Sequence, residues 1–422
     1  LLLRPSDAEA QAPRPRWLAQ GWTGLLAAAI GLTGATILSE IGTTYGDILS
    51  ADGILLGLFA ALKFWPCSWR TGAAMGLGLG CAAGLKLTAL IFLPGLGIWM
   101  LLGTANRRAA TLGLLGLGAG AAAGFLLLWG WWGITLWQHF HNPFFPLFGR
   151  LFSSPWSVGF EMRDMRFFPR DVLQWIAYPF FWLQGRSFVV TETRLGDPRF
   201  ALAYIALLAA GLRAILPGRP RLDRRVLGLW LFFAVSYLCW LIGFSILRYA
   251  LPLEALSGIV IATSLRHVAT SRFSPRVLAL VLLACVAATR PMGWGRIGYD
   301  RDLVEAPIPA LPRDAVVFEV GAPIGFVVPY LASPWQRFIR PDFLPATSPE
   351  AAIIRGLVSA GGRDLFLLTN LPEDASGAAG IAAALAPFEL TASDGDCRPI
   401  HSPLQRDIRL CGVTALSPTP PR

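Results

Sequence analysis

Long apolar runs separated by short loops fill the sequence between residues 17 and 292, and this pattern restricts the possible folds more than any other feature. Of all residues, 54% are hydrophobic and 15% are charged, whereas a soluble domain has about 25% charged residues. Residues 296–422 have the composition of an ordinary soluble protein. We therefore predict a mainly α, polytopic transmembrane helical bundle in residues 1–295 and a small α/β domain in residues 296–422.

A membrane-spanning helix needs about 20 mainly apolar residues, and this length predicts about nine spans. The candidate segments are 17–39, 48–65, 71–85, 87–103, 109–131, 200–217, 226–245, 249–265 and 277–293. The third and fourth form one apolar stretch that is interrupted around Gly84 and Lys86. We expect a helical hairpin there, with a single long tilted helix as the alternative.

The net charge of +10 does not indicate nucleic-acid binding, because the basic residues lie in short loops and no basic stripe with interleaved aromatic residues occurs. In the nine-span arrangement, fifteen Lys and Arg residues fall on one side, and only Lys86 and Arg248 lie in short loops on the other. Positive residues favour the cytoplasmic side. The C-terminal domain and the aromatic segment 132–199 are therefore expected outside. The chain begins at Leu1 rather than Met, so we expect that an N-terminal part is missing.

The C-terminal domain has the pattern of alternating strands and helices. Residues 315–320 and 364–369 are predicted strands, 377–386 a helix, and 397–400 with 407–411 a short hairpin. Pairing of that hairpin would bring Cys397 opposite Cys411, so we predict a disulfide in an oxidising compartment; two unpaired thiols are the alternative. The domain has no glycine-rich phosphate loop and no nucleophile elbow. We expect an accessory domain without chemistry of its own.

Four charged residues in the apolar region are candidates for a functional site. Lys86 lies at the break in GLKLT, where a charge inside a membrane needs a partner or ligand such as a phosphate, unless it reaches the interface. Arg248 opens RYALP and could meet the same phosphate, or simply flank a span. Glu40 and Asp47 flank IGTTYG and could orient a base or bind sugar hydroxyls. Asp47 could equally cap a helix.

The segment 132–199 contains two short runs of mixed charge. They are Glu161, Arg163, Asp164 and Arg166, and then Glu192, Arg194, Asp197 and Arg199. Glu161 and Asp164 would share one face of a helix. Such residues could hold a sugar, act as a base or bind a metal, or they could form salt bridges. A metal signal at His139 and His141 is weak because no third ligand has a telling spacing, so we expect no cofactor, with a divalent metal left open.

Several segments resemble one family. The run NPFFPLFGRLFSSPW, then RDMRFFP and TETRLGDPR, together with GTTYGD, GLKLT and RYALP, is similar to bacterial integral-membrane proteins of the GT-C glycosyltransferase superfamily. The resemblance covers roughly residues 40–255. It implies a many-helix membrane domain with its active site in the outer loops and a polyprenyl-phosphate-linked sugar as donor. The acidic residue that this family carries on its first outer loop has no recognisable counterpart here, since GTTYGD resembles a later loop.

The resemblance and the charged residues together predict a membrane glycosyltransferase of the bacterial inner membrane, with a glycan, lipid or protein as acceptor and the C-terminal domain in the periplasm. The expected catalytic residues are Asp47, Glu161 and Asp164. The expected substrate- and phosphate-binding residues are Lys86, Arg248, Tyr249, Glu40, Arg163, Arg166, Asn142 and Glu192. Transfer would need a base for the acceptor hydroxyl and cations for the departing phosphate.

A non-enzymatic membrane protein, such as a transporter of lipid-linked glycans or an envelope-assembly partner, is the alternative. A transporter would show repeated halves with broken helices at matching positions. The sequence has one broken hairpin and no second copy.

Overall fold

A computed structural model of the chain describes residues 16–156, 164–184, 191–217, 222–269, 275–296, 298, 302–305, 308–332, 335–341, 344 and 346–415. The chain divides into two compact units. The helical unit comprises residues 1–134 and 162–294, and the sheet unit comprises residues 135–161 and 295–422. The sheet unit therefore includes the aromatic stretch 135–161 in addition to the C-terminal residues that we expected to form it.

The helical unit contains eleven of the described α-helices. They are α1 (Arg16–Leu32), α2 (Ala35–Glu40), α3 (Asp47–Lys63), α4 (Trp69–Leu85), α5 (Leu93–Gly103), α6 (Arg107–Phe140), α8 (Val172–Phe181), α9 (Arg199–Ile215), α10 (Arg224–Gly243), α11 (Leu251–Ala269) and α12 (Pro275–Ala288). One of them, α6, continues into the first six residues of the sheet unit. Large aromatic side chains fill the core, with Trp99, Trp182 and Trp240 fully buried.

The prediction of about nine membrane spans is wrong. Among the described residues, two helices are long and apolar enough to cross a membrane, α6 with 34 residues and α10 with 20. The other apolar stretches form shorter or less apolar helices. Segment 17–39 is divided at Gly34 into α1 and α2, and segment 71–103 is divided at Lys86, where the backbone is extended. A polytopic bundle is therefore not supported, although the break at Lys86 lies where the sequence indicated one.

Glycines allow α4 and α6 to pack with their backbones in contact. Gly72, Gly76, Gly80 and Gly84 recur every four residues along α4 and therefore lie on one face of the helix. A β-carbon added to Gly80 would lie 2.8 Å from the backbone nitrogen of Phe125 on α6. Such close approach brings many backbone atoms into van der Waals contact, as in the small-residue interfaces of helix pairs.

A buried polar network fixes the break between α1 and α2. The first N–H groups of a helix have no partner inside it. Here Asp197 accepts the N–H of Ala35, and Glu254 accepts those of Thr36 and Ile37, at 2.7 to 3.0 Å. A carboxylate from α11 and one from the segment just before α9 thus replace the missing helical partners and hold α2 in place.

The sheet unit contains a five-stranded sheet. Its strands are β1 (Val316–Val320), β2 (Arg337–Ile339), β3 (Leu365–Thr369), β4 (Leu390–Ile400) and β5 (Ile408–Ala415), in the order β2-β1-β3-β5-β4. Strand β1 pairs parallel with β2 and with β3, and β5 pairs antiparallel with both β3 and β4. The helices described in this unit, besides the end of α6, are α7 (Gly149–Phe152), α13 (Val328–Leu331), α14 (Pro349–Ser359) and α15 (Ala375–Leu385).

Both faces of the sheet are covered, which explains why β1 is almost continuously apolar. Val316 and Phe318 lie in one buried cluster, and Val317 lies in another on the opposite face. The predicted strands, helix and hairpin agree with β1, β3, α15 and the β4–β5 pair. Cys397 and Cys411 are opposed in the ladder, and the disulfide between them is present.

Candidate functional site

Asp47 is the centre of a charged cluster in the helical unit. It is the first residue of α3, after Gly46, whose left-handed backbone (φ 72°) suits a glycine. One carboxylate oxygen accepts a hydrogen bond from Lys86 Nζ at 2.5 Å, and the other accepts one from Arg248 Nη1 at 3.1 Å. The Asp47 side chain is only 3% exposed. The two cations that the sequence predicted to share a phosphate therefore share this carboxylate.

Glu192 completes the cluster. Both of its carboxylate oxygens accept hydrogen bonds from the Arg248 guanidinium, from Nε and Nη2, at 2.6 Å each. Burial alone would lower the pKa of Arg248, but the hydrogen bonds and charge of Glu192 and the charge of Asp47 outweigh it and raise that pKa. The cluster therefore consists of two cations and two carboxylates whose charges balance.

Aromatic rings surround the two cations. The Lys86 ammonium lies 4.4 Å from the ring centre of Tyr249, and the Arg248 guanidinium lies 4.1 Å from that of Tyr45 and 5.9 Å from that of Trp294. These distances are typical of cation–π contacts. Because the rings also exclude water from part of each cation, they strengthen its interaction with neighbouring charges.

A small cleft, partly open to solvent, lies beside the cluster. Its lining is polar at Asp47, Ser50, Thr88, Arg248 and Tyr249, and apolar at Ala51, Ile54, Ala89, Phe92 and Pro252. α3, the 3₁₀ turn after Lys86, the 3₁₀ turn before α11 and the start of α11 contribute these residues. The cleft therefore offers an apolar surface next to Arg248 and Asp47.

Glu40 ends α2 near the same cluster and is only 3% exposed. Thr43 donates its hydroxyl to one carboxylate oxygen of Glu40 at 3.1 Å. The other oxygen, Oε1, has no hydrogen-bond partner among the described residues. Burial raises the pKa of this carboxyl, and the negative charge of Asp47 adds to the effect.

The remaining predicted site residues are arranged differently. Asp164 and Arg166 form an exposed pair, joined at 2.7 Å, in which Arg166 holds the pKa of Asp164 below its ordinary value. Asn142 belongs to the sheet unit, where its side chain binds the backbone at Phe144 and Leu147 and stabilises a turn. Glu161 and Arg163 lie outside the described residues.

In the described part of the chain, no group of three or more His, Cys, Asp or Glu side chains could hold a metal ion. His139 lies in the last turn of α6 rather than on a strand. His141 follows the helix and has a left-handed backbone (φ 53°).

Sequence reasoning missed two residues of the site, Tyr45 and Trp294. Tyr45 lies within GTTYGD, two residues before Asp47, and its position there was a usable signal. Trp294 follows α12, far from the other site residues in sequence, and only the fold brings it to Arg248. In comparisons with known proteins, no protein-family model, no curated protein and no solved structure matches this chain.

Proposed function

We propose that this chain is a membrane glycosyltransferase that moves a sugar from a polyprenyl-phosphate-linked donor to an acceptor hydroxyl, with the Asp47 cluster as its active site. One observation carries the proposal: a buried carboxylate lies between two cations beside a cleft with an apolar surface. The resemblance of GTTYGD, GLKLT and RYALP to GT-C proteins supports the same reaction class.

In this reaction the bond between the anomeric carbon and the phosphate oxygen breaks, and a bond from that carbon to the acceptor oxygen forms. Negative charge accumulates on the departing phosphate, where Lys86 and Arg248 would stabilise it. The acceptor proton leaves to a base, and Asp47 is the carboxylate beside both cations. The donor phosphate must compete with Asp47 and Glu192 for these cations, and its binding would free Asp47 to accept the proton.

The proposal includes a location at the bacterial inner membrane, because the donor carries a polyprenyl chain. The helices α6 and α10 are long and apolar enough to attach the chain to a membrane. The acceptor, a glycan, lipid or protein, would meet the donor on the outer face, where the sheet unit would also lie. The disulfide in that unit is compatible with an oxidising compartment.

The chain offers a matched test because it contains only two lysines, Lys86 and Lys63. Lys63 is exposed at the end of α3, where it lies near the rings of Phe59 and Phe64. The assay measures transfer of radiolabelled sugar from polyprenyl phosphate by membranes that contain the chain. We expect Lys86→Ala to abolish transfer and Lys63→Ala to retain it, at equal protein amounts. Wild-type transfer by Lys86→Ala would refute the assignment.

A further inference from the structure

We propose that Glu40, Tyr45 and Trp294 form a subsite that binds the hydroxyl groups and one face of a sugar ring beside Arg248. This inference rests on the proposed function, in which a sugar must lie next to the phosphate-binding cations. It adds a ligand-binding position to the site and two residues, Tyr45 and Trp294, that were not among the predicted site residues.

The first observation is a pair of buried polar atoms without partners. Glu40 Oε1 is a hydrogen-bond acceptor, and Trp294 Nε1 is a donor; neither has a partner among the described residues. Leaving such a buried group unsatisfied costs about 1–3 kcal/mol, so a native structure normally supplies a partner. An acceptor and a donor together match hydroxyl groups, since each hydroxyl can donate and accept.

The second observation is that the segments carrying Glu40 and Trp294 are joined. The backbone N–H of Met292 donates to the hydroxyl of Ser39 at 2.7 Å, which attaches the segment before Trp294 to the residue before Glu40. The ring centre of Trp294 lies 5.2 Å from that of Tyr45. Trp294 itself has a left-handed backbone (φ 52°), which is uncommon for a residue other than glycine.

The third observation is an accessible aromatic surface. Tyr45 is 43% exposed, although its ring contacts both the Arg248 guanidinium and Trp294. An aromatic face offers dispersion contacts to the C–H groups of a sugar, while neighbouring polar atoms bind its hydroxyls. A phosphate would meet the repulsion of the Glu40 carboxylate, whereas a neutral sugar ring would not. The chemistry therefore favours a carbohydrate ring over a second anion.

The test measures binding of methyl glycosides to the purified chain by saturation-transfer NMR, without any lipid-linked donor. The probes are the methyl glycosides of glucose, galactose, mannose and arabinose. We expect wild type to bind at least one of them. Glu40→Gln removes the carboxylate, and Trp294→Phe removes the N–H but keeps an aromatic ring; each should weaken binding by about 10-fold, as loss of one such hydrogen bond implies.

The matched controls are Asp52→Asn and Trp22→Phe, which make comparable changes at exposed positions of the helical unit. They should bind the glycoside like wild type. Tyr45→Ala serves as a further variant if Glu40→Gln or Trp294→Phe unfolds, because Tyr45 is partly exposed; it should also weaken binding.

Two results would overturn the subsite: no glycoside binding by wild type, or unchanged affinity in the folded variants. Because the measurement needs no donor, it is separate from the transfer assay. If glycoside binding depends on Glu40 and Trp294 while no donor supports transfer, the transferase proposal fails and the subsite stands. If transfer depends on Lys86 while no glycoside binds, the subsite fails and the transferase proposal stands.

Discussion

Replacing Gly80 by Ala tests whether the backbones of α4 and α6 are in contact. The new β-carbon would lie 2.8 Å from both the carbonyl carbon of Ala121 and the backbone nitrogen of Phe125, and still closer to the carbonyl oxygen of Ala121. Non-bonded heavy atoms are comfortable at about 3.5–4.0 Å. The helices would therefore have to separate by roughly 1 Å, and overpacking of this kind costs about 1–3 kcal/mol.

The comparison needs a control because Gly→Ala also favours a helix by about 1 kcal/mol. Gly118 provides it, since it lies on α6, is exposed, and has no atom within 4 Å of an added β-carbon. The gain in helix propensity is common to both variants. The difference between them therefore isolates the packing cost, and Gly80→Ala should be less stable than Gly118→Ala by about 1–3 kcal/mol.

The assay is urea unfolding of the purified chain, followed by far-UV circular dichroism, with the same detergent for both variants. Gly118→Ala should match or exceed wild type in its unfolding midpoint, and Gly80→Ala should fall below it. Equal midpoints for the two variants would show that the close contact between α4 and α6 does not exist.

Three further predictions concern other parts of the chain. Cys397→Ser with Cys411→Ser should destabilise the sheet unit by about 3 kcal/mol, since the disulfide closes a loop with a sequence separation of 14; unfolding of wild type with and without reductant checks this, and identical curves would contradict it. The hydroxyl of Ser376 and then backbone N–H groups hold the pKa of Asp374 below its ordinary 3.8, so its contribution to stability is present above that pH and is lost as pH falls through the folded value. In the Asp374→Asn variant, the free energy of unfolding should therefore fall less steeply at acidic pH than in wild type. An unchanged pH dependence would exclude the effect. Burial raises the pKa of Glu40 above 4.5, so the folded state holds its proton more tightly than the unfolded state does. It loses stability as pH rises from 4.5 through the raised pKa of the folded state. Relative to wild type, Glu40→Gln should gain stability at pH 7 but not at pH 4, and an equal difference at both would refute the reasoning.

Local patterns predicted local structure well, and they failed for the arrangement of the apolar helices. The strand β1 was recognisable because a parallel strand buried on both faces is a short continuous apolar run. The same reasoning overestimated the spans, since length and apolarity do not show where a helix breaks. Gly34 ends one apolar stretch because partners distant in sequence, Asp197 and Glu254, accept the N–H groups of α2. Nothing near Gly34 in the sequence indicates those partners.

The charged residues of the candidate site could be predicted from the sequence, but their contacts with one another could not. Lys86, Arg248 and Asp47 were recognisable because charged residues in apolar surroundings need partners. Their mutual contacts depend on the fold, as does the position of Trp294. Asn142 was also predicted for the site; its side chain binds the backbone of a turn in the sheet unit.

The location of the site follows from where the helices are interrupted. Asp47 begins α3, Lys86 separates α4 from a 3₁₀ turn, and Arg248 lies in the 3₁₀ turn before α11. Each interruption replaces part of a continuous helix with a short segment whose backbone groups need other partners. An unbroken helix would leave these charges on its apolar surface, whereas the interruptions let them turn toward one another.

The interruption at Gly34 also contributes to the position of a site residue, through a buried polar network. Arg199, which is fully buried, donates to the carbonyl of Ile30 and to the side chains of Thr33, Asp197 and Thr289. It thus joins the end of α1 to the start of α9 and the residue after α12. A buried ion pair of this kind adds little stability compared with apolar packing, because desolvation offsets the attraction. What it fixes is geometry: it holds the end of α1 against the start of α9, so that α2 begins at Ala35 and ends at Glu40, near the charged cluster.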